Sequence, residues 1–376
     1  MDSLRTPMRW RHDLHRIPET DFAEVATAAY VADVLVELGL EVHTGIGGTG
    51  VIGVLRRGDG PRIGLRAELD ALNITEAVNV PYISTHPGRM HACGHDGHMA
   101  MVLGAAARLR ERTDWSGTAY VVFQPDEEHG HGARAMIDDG MFERFPMDAI
   151  YGIHNMPGLP VGNFATRAGG IMASEDNFVI HIKGRGGHAS SPHRVIDPLV
   201  IGAEIVLALQ TIVARSVDPQ TPAVVSCTEF ITDGIRNAIP SNVTIKGDTR
   251  SYSPAVQALL EQRMRQICAG ICQSYGAECV VEYTHEFSPT VNPPSHLSIA
   301  LAAATAVVGA ERVNDAVPPM MGSEDFGLFL QHIPGNFIYI GNGDSLPLHN
   351  AGYVFNDEAL PIGIEYLANL VVMSRG

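Results

Sequence analysis

Between residues 176 and 287 the hydrophobic pattern changes period, and this change constrains the fold more than any other feature of the chain. Phe178, Ile180 and Ile182 face one way while Val179, His181 and Lys183 face the other, which is the alternation of a half-buried strand. Helices near 197–215 and 254–275 pair with strands near 223–230, 242–249 and 278–284, so the segment predicts two long helices on one face of an antiparallel sheet. Earlier in the chain, Val31, Val34, Leu35 and Leu38 repeat at helical spacing until Gly39 stops them. Short apolar runs at 51–55, 63–65, 119–123 and 149–153 read as buried strands, with helices near 97–112 and 131–140 between the later ones, the pattern of an α/β sheet with crossover helices. After about residue 288 the first pattern returns, with 324–330, 337–340 and a final helix over 358–374. The 376 residues exceed one ordinary core, and 45% hydrophobic residues suffice to fill two. The expected organisation is one discontinuous domain, 1–175 with 288–376, and an α+β insertion over 176–287.

The chemistry-bearing residues sit where those strands end. HACGHDGH (91–98) places Cys93 and His95 on one glycine-rich turn, and both suit a divalent transition metal once the thiol is deprotonated. Histidine-rich turns often only hydrogen-bond, and a buried helix begins just after this one, so other residues must decide. FQPDEEHGHG (123–132) delivers Glu127 and Glu128 at the C-terminal edge of an apolar strand, where open α/β sheets place catalytic groups. Adjacent residues leaving a strand point in different directions, so one carboxylate can hold a metal while the other takes a proton from water. The bland reading of Glu-Glu is a solvated acidic loop. AIYGIHN (149–155) repeats the layout with His154, and SLPLHNAGYVFND (345–357) carries His349 in a loop rich in Pro, Gly and Asn. A lone histidine is more often structural than a ligand. Four strand-end or loop sites offering Cys, His, Glu and two further His are hard to explain as core packing.

The insertion carries its own polar signals. In GRGGHASSPH (184–193) the glycines permit turns that aim His188 outward, a plain β-turn being the competing reading. Asn237 precedes Ile239-Pro240, and Arg250 ends a strand, where it is a candidate clamp for a substrate carboxylate or simply a surface ion pair. GSEDFG (322–327) reads as a helix start with Ser323 as N-cap.

These motifs, with LRAELDAL (65–72), NAIP (237–240) and GDTR (247–250) in the same order, resemble the amidohydrolase branch of the dinuclear metallo-aminoacylase/carboxypeptidase superfamily. That branch includes hippurate hydrolases, auxin–amino-acid conjugate hydrolases and N-acyl-amino-acid deacylases. The resemblance runs from HRIPE (15–19) to FNDEALPIG (355–363). It implies an α/β fold, a metallo-exopeptidase-like mixed sheet flanked by helices, with the insertion as a lid and dimerisation domain. It further implies two divalent ions per subunit (Zn, Mn, Co or Ni), metal ligands at Cys93, His95, Glu128, His154 and His349, and Glu127 as general base. A thiolate can bridge two ions whereas a neutral imidazole cannot, so Cys93 is the bridging candidate. Glu68 stands where close relatives more often show Asp, and Asp70 is expected to orient a ligand or the turn. In relatives the residues matching His188 and Asn237 reach the active site, often from the partner subunit. The resemblance implies hydrolysis of the amide bond in N-acyl amino acids or related small conjugates. The alternatives are hydrolysis of another C–N bond (aryl amine, carbamoyl or dipeptide) and a non-catalytic binding protein on the same fold.

A net charge of −16 and a pI near 5.4 argue against nucleic-acid binding. Five cysteines, three of them at Cys268, Cys272 and Cys279 in one helix and strand, are no disulfide framework. No run reaches the roughly 18 continuous apolar residues of a membrane span, and the opening MDSLRTPMRWRHDL has no apolar secretory core. The expectation is a cytoplasmic homodimer, or dimer-based homo-oligomer, acting on a small molecule with neither nucleic acid nor membrane as partner.

Overall fold

The computed structural model describes residues 5–374; residues 1–4 of the opening segment and the final two residues lie outside it. The chain forms two compact units, one of Met1–Ile171, Val291–Pro319 and Glu324–Gly376, the other of Met172–Thr290 and Met320–Ser323.

In the first unit the described residues form an eight-stranded mixed sheet. Its centre is four parallel strands in the spatial order Gly117–Gln124, Arg62–Glu68, Ala149–Pro157 and Gly335–Gly343. Their residues are buried almost throughout, which is why they read as apolar runs without alternation. On one side the sheet continues antiparallel through Gly50–Arg57 and Glu41–Ile46; on the other, Phe164–Ala165 and Val313–Asn314 complete it. The helix His95–Glu111 packs against the sheet, and both Arg5–His15 and Ala359–Met373 pack on that helix. The sheet presents the C-terminal ends of its parallel strands to the loops that carry Asp70, Glu127 and Glu128, while His154 lies near the end of its own strand.

The second unit is a four-stranded antiparallel sheet in the order Ala223–Thr232, Asn242–Ser251, Glu175–Lys183 and Glu278–Phe287. Phe178, Ile180 and Ile182 point to its buried face, as the alternation predicts. The helices Pro198–Ser216 and Pro254–Tyr275 cover that face. Each starts with a side-chain cap followed by proline: Asp197 accepts from the Leu199 amide at 2.9 Å, and Ser253 from that of Val256 at 3.2 Å. The first is long and apolar enough to cross a bilayer by length and composition, but it spends its stripe of Ile201, Ile205, Leu209 and Ile212 on the core of this unit.

One expected helix start is displaced. The helix after GSEDFG spans Phe326–Leu330, and Ser323 does not cap it. Ser323 instead binds Arg250 and Glu175, while Glu324 accepts from the Phe326 amide at 2.9 Å. The hydroxyl is diverted because the second unit offers it a guanidinium and a carboxylate.

Candidate metal centre and its surroundings

The turn at Cys93–His95 is shaped by Gly94. Its φ of +95° belongs to the left-handed region, and a Cβ there would collide with the Asn155 side chain and stand 2.9 Å from the Tyr353 hydroxyl. Glycine therefore lets the turn settle against Asn155, with Cys93 on one side and His95 opening the helix on the other. His349 and Asp126, neither of them glycine, also have positive φ, +63° and +43°. The His349 amide donates to the Ala92 carbonyl at 2.9 Å, which ties the distant loop 345–357 to this turn.

The sequence-nominated donors converge in the first unit. Cys93 Sγ lies 3.4 Å from His154 Nε2. His95 Nε2 is 3.9 Å from Glu128 Oε1 and 3.8 Å from Glu127 Oε2, and His349 Nε2 is 3.4 Å from Glu128 Oε2. The donor atoms of Cys93, His95 and His154 form one compact triad and those of Cys93, Glu128 and His349 another, so the two triads share the cysteine. His95 with Glu127 and Glu128 forms a third.

Surrounding groups aim the donors. The Nδ1 of His95 bonds the Asp70 carbonyl at 2.8 Å, and that of His154 bonds the Asn155 carbonyl at 2.8 Å. A carbonyl only accepts, so both rings carry their proton on Nδ1 and turn Nε2 toward Cys93 and Glu128. Asp70 also accepts from the Glu128 amide at 2.9 Å, and thereby orients a histidine and the acidic loop together.

His95 Nε2 and Glu128 Oε1 are buried without a hydrogen-bond partner. Leaving such atoms unpaired is costly, and a cation between them removes the cost. Electrostatics agrees. Burial by itself would push the His95 imidazole down, but Asp70, Glu68 and Glu128 outweigh it and raise it to about 10. Burial, then Glu128 and Glu127, pushes the Cys93 thiol well up, and burial with Glu324 and Glu128 does the same to the Glu127 carboxyl. Burial and then His98 hold His154 neutral. Without a cation the pocket keeps protons to offset its carboxylates, and a metal would displace them. The residues present fit a divalent-metal site.

Beneath these donors lies a buried layer that the motifs did not reveal. The fully buried Arg66 donates from Nε to Gln124 Oε1 at 2.8 Å, from Nη2 to Glu324 and Asp325 at 2.8 and 2.9 Å, and from Nη1 to Glu68. Glu68 is also 2.7 Å from His98 Nδ1, and His98 Nε2 is 2.7 Å from Asn155 Oδ1. Glu68 is thus engaged by Arg66 and His98. The three-residue spacing of His95 and His98, which puts both on one helix face, was the available signal for His98.

The remaining nominated residues lie in the second unit. His188 is exposed on a short ladder, opposite Ala238, with Ser190 Oγ 2.8 Å from its Nδ1. The Ala189 amide donates to the Asn237 carbonyl at 3.1 Å, so the structure brings His188 and Asn237 together. Arg250 binds Glu175 at 2.7 Å, Asp248 at 2.6 Å and Ser323 at 2.6 Å.

A mixed α/β sheet whose strand ends gather cysteine, histidine and paired glutamates defines a metal-dependent hydrolase of the amidohydrolase and peptidase type. The chain belongs to peptidase family M20/M25/M40, whose profile matches residues 64–373. It is 40% identical to the hippurate hydrolase of Campylobacter jejuni over 363 residues, 96% of this chain and 94% of that one. It is 36% identical to a Bacillus subtilis N-acetylcysteine deacetylase over 366 residues, 96% and 95% of the two chains. Among solved structures, Bacillus subtilis YXEP, a dinuclear metal-binding peptidase of the M20 family, superposes with a TM-score of 0.86 at 33% identity over 98% of both chains.

Proposed function

We propose that the protein hydrolyses the amide bond of N-acyl amino acids or related small conjugates. The observation that carries this reading is the pair of donor triads sharing Cys93, with Glu127 beside them on the same loop. Cys93, His95, Glu128, His154 and His349 would hold two divalent ions, which would supply carbonyl polarisation and a more acidic water. Glu127 accepts the proton of the attacking water on its carboxylate and returns it to the leaving nitrogen. A carboxyl raised by burial is suited to both halves of that cycle. We assign His188 to the oxyanion and Asn237 and Arg250 to polar groups of the substrate. The second unit is assigned as lid and dimerisation element of a cytoplasmic homodimer. These assignments rest on the family resemblance, as does the substrate class, which the hippurate hydrolase and the deacetylase support.

The test is a panel of N-acyl amino acids, dipeptides and aryl amides, run with Mn, Co, Ni or Zn added separately. N-acyl amino acids are expected to turn over fastest. Glu127→Gln should lower turnover by ~10²–10⁴ while leaving bound metal unchanged, since it removes a base and no ligand. Activity within about tenfold of wild type would remove Glu127 from the proton path, and a preference for dipeptides or aryl amides would replace the substrate class.

A further inference from the structure

The run HGHG (129–132) has no part in the centre described above, and its glycines fold the loop back on itself. Gly130 has a φ of +74° and its amide donates to the Glu127 carbonyl at 2.8 Å, while the Gly132 amide donates to the Asp126 carbonyl at 3.1 Å. Both histidines are thereby returned to the Asp126 side chain. His129 Nδ1 lies 2.8 Å from Asp126 Oδ1, and His131 Nδ1 lies 3.4 Å from Asp126 Oδ2. A loop from far earlier in the chain reaches the same place. There the buried Thr20 hydroxyl donates to Asp21 Oδ2 at 2.7 Å, leaving Asp21 Oδ1 to face His129 Nε2 at 3.3 Å. One donor atom each from Asp21, Asp126 and His129 lie within 4.8 Å of one another.

An ion pair bridged by His129 accounts for the contacts but leaves a buried carboxylate short of positive charge. Asp126 is 2% exposed. The buried Glu68 and Asp96 each face an arginine. Among the described residues Asp126 receives no guanidinium, ammonium or backbone amide, only the two imidazoles, and its Oδ2 makes no hydrogen bond. Burying a carboxylate is costly unless it is paired and hydrogen-bonded. A divalent ion would match the two negative charges of Asp21 and Asp126. Donors held by one ion at about 2.0–2.2 Å stand roughly 3.3–3.6 Å apart in a tetrahedron, and the 3.3 Å between His129 Nε2 and Asp21 Oδ1 falls in that range. We infer that Asp21, Asp126 and His129 form a further site for one divalent ion of the Zn(II) or Co(II) kind, separate from the centre around Cys93, which clamps the loop carrying Glu127 and Glu128 to the loop before the helix Val25–Glu37.

The donor set fixes the class of ion. An imidazole with carboxylate oxygens suits borderline divalent ions, whereas soft ions such as Cu(I) need the thiolate or thioether that this cluster lacks. The ion takes the place of the proton on the coordinating ring nitrogen of His129, which leaves to solvent, with no change of oxidation state. His129 and Asp21 are half-exposed, so the ion enters directly from water.

The test adds Zn(II) to the full protein whose Cys93 centre is already loaded, and follows uptake by native mass spectrometry and isothermal titration calorimetry. Wild type is expected to bind one ion more than His129→Gln and Asp21→Asn, or to hold it at least tenfold more tightly. Both positions are half-exposed, so both variants should keep the circular dichroism of wild type. Cys93→Ser should lose ions from its own centre and keep this one, which separates failure of this site from failure of that centre. Labelling of wild type with diethyl pyrocarbonate, read by peptide mass spectrometry, should show His129 protected by Zn(II), while the exposed His193 reacts equally with and without the ion. Equal Zn(II) uptake and affinity in wild type and both variants would overturn the site and leave His129 as an ion-pair bridge. So would His129 labelled at the same rate with and without Zn(II), or an additional ion lost only in Cys93→Ser.

Discussion

Replacing Arg66 by methionine tests the layer beneath the candidate centre. The guanidinium is fully buried and serves Glu68 as well as Gln124, Glu324 and Asp325, the last three at 2.8 to 2.9 Å. Methionine fills much of the volume but supplies no charge, so Glu68 and Glu324 would lose the cation facing them. Breaking a buried pair by removing one partner costs about 3–5 kcal/mol, because the other charge is left uncompensated. Burial pushes the Asp325 carboxyl well up, so it can take a proton and soften the loss, which places the expectation near the lower end, about 3 kcal/mol. With a urea slope of about 3 kcal/mol/M, the midpoint should fall by roughly 1 M. Urea unfolding followed by circular dichroism reads this directly. Arg66→Lys should lie between wild type and methionine, since a lone ammonium carries the charge but cannot present the fork. Adding Glu324→Gln to Arg66→Met should recover part of the loss, because the two positions share one interaction. If Arg66→Met stays within about 1 kcal/mol of wild type, or Glu324→Gln adds its full cost on top, the clamp does not hold this layer together.

Three further outcomes follow from other parts of the first unit. Cys93→Ser and His349→Ala should each lower bound metal as well as rate, and elemental analysis giving wild-type stoichiometry for both would dissolve the shared site. Burial alone would lower the His15 imidazole, but Asp96 at 2.8 Å and Glu76 at 3.1 Å raise it to about 9. Its pKa is thus higher folded than unfolded, so its contribution, on the order of 3 kcal/mol, is complete below about pH 6.5 and lost as pH rises through 9. Urea midpoints that fall over this window in wild type should flatten in His15→Gln, and equal slopes would refute the assignment. Gly97→Ala would set a methyl within 2.5 Å of ring carbons of the buried Phe355, an overpacking worth about 1–3 kcal/mol; an unchanged thermal midpoint would contradict that contact.

Local rules were enough where an element is decided by its own residues. The helix Pro254–Tyr275 follows from a capping serine, a proline at its first position and Gly276 beyond its end, and the donors were legible because they close apolar strands, open a glycine turn or, for His349, sit in a loop rich in Pro, Gly and Asn. What stayed hidden depends on partners far away in sequence. Arg11 sits in the helix Arg5–His15, for which the local pattern gave no reading, and it is buried against Asp96 and against Asp357, 346 residues on. Arg66 occupies an apolar strand, where nothing nearby announces that Glu324 and Asp325 arrive 258 and 259 residues later. The same distance explains the misplaced helix start at GSEDFG, where Ser323 is drawn to Arg250 while Glu324 and Asp325 turn inward to Arg66. Hydrophobic period reports which faces are apolar and carries no term for a charge whose counter-charge closes the fold. Those long-range pairs lie directly beneath the donors: Arg66 holds Glu68, Glu68 holds His98, and His98 holds the Asn155 against which Gly94 turns. The part of the centre invisible to local pattern is therefore the part that fixes the position of the visible one.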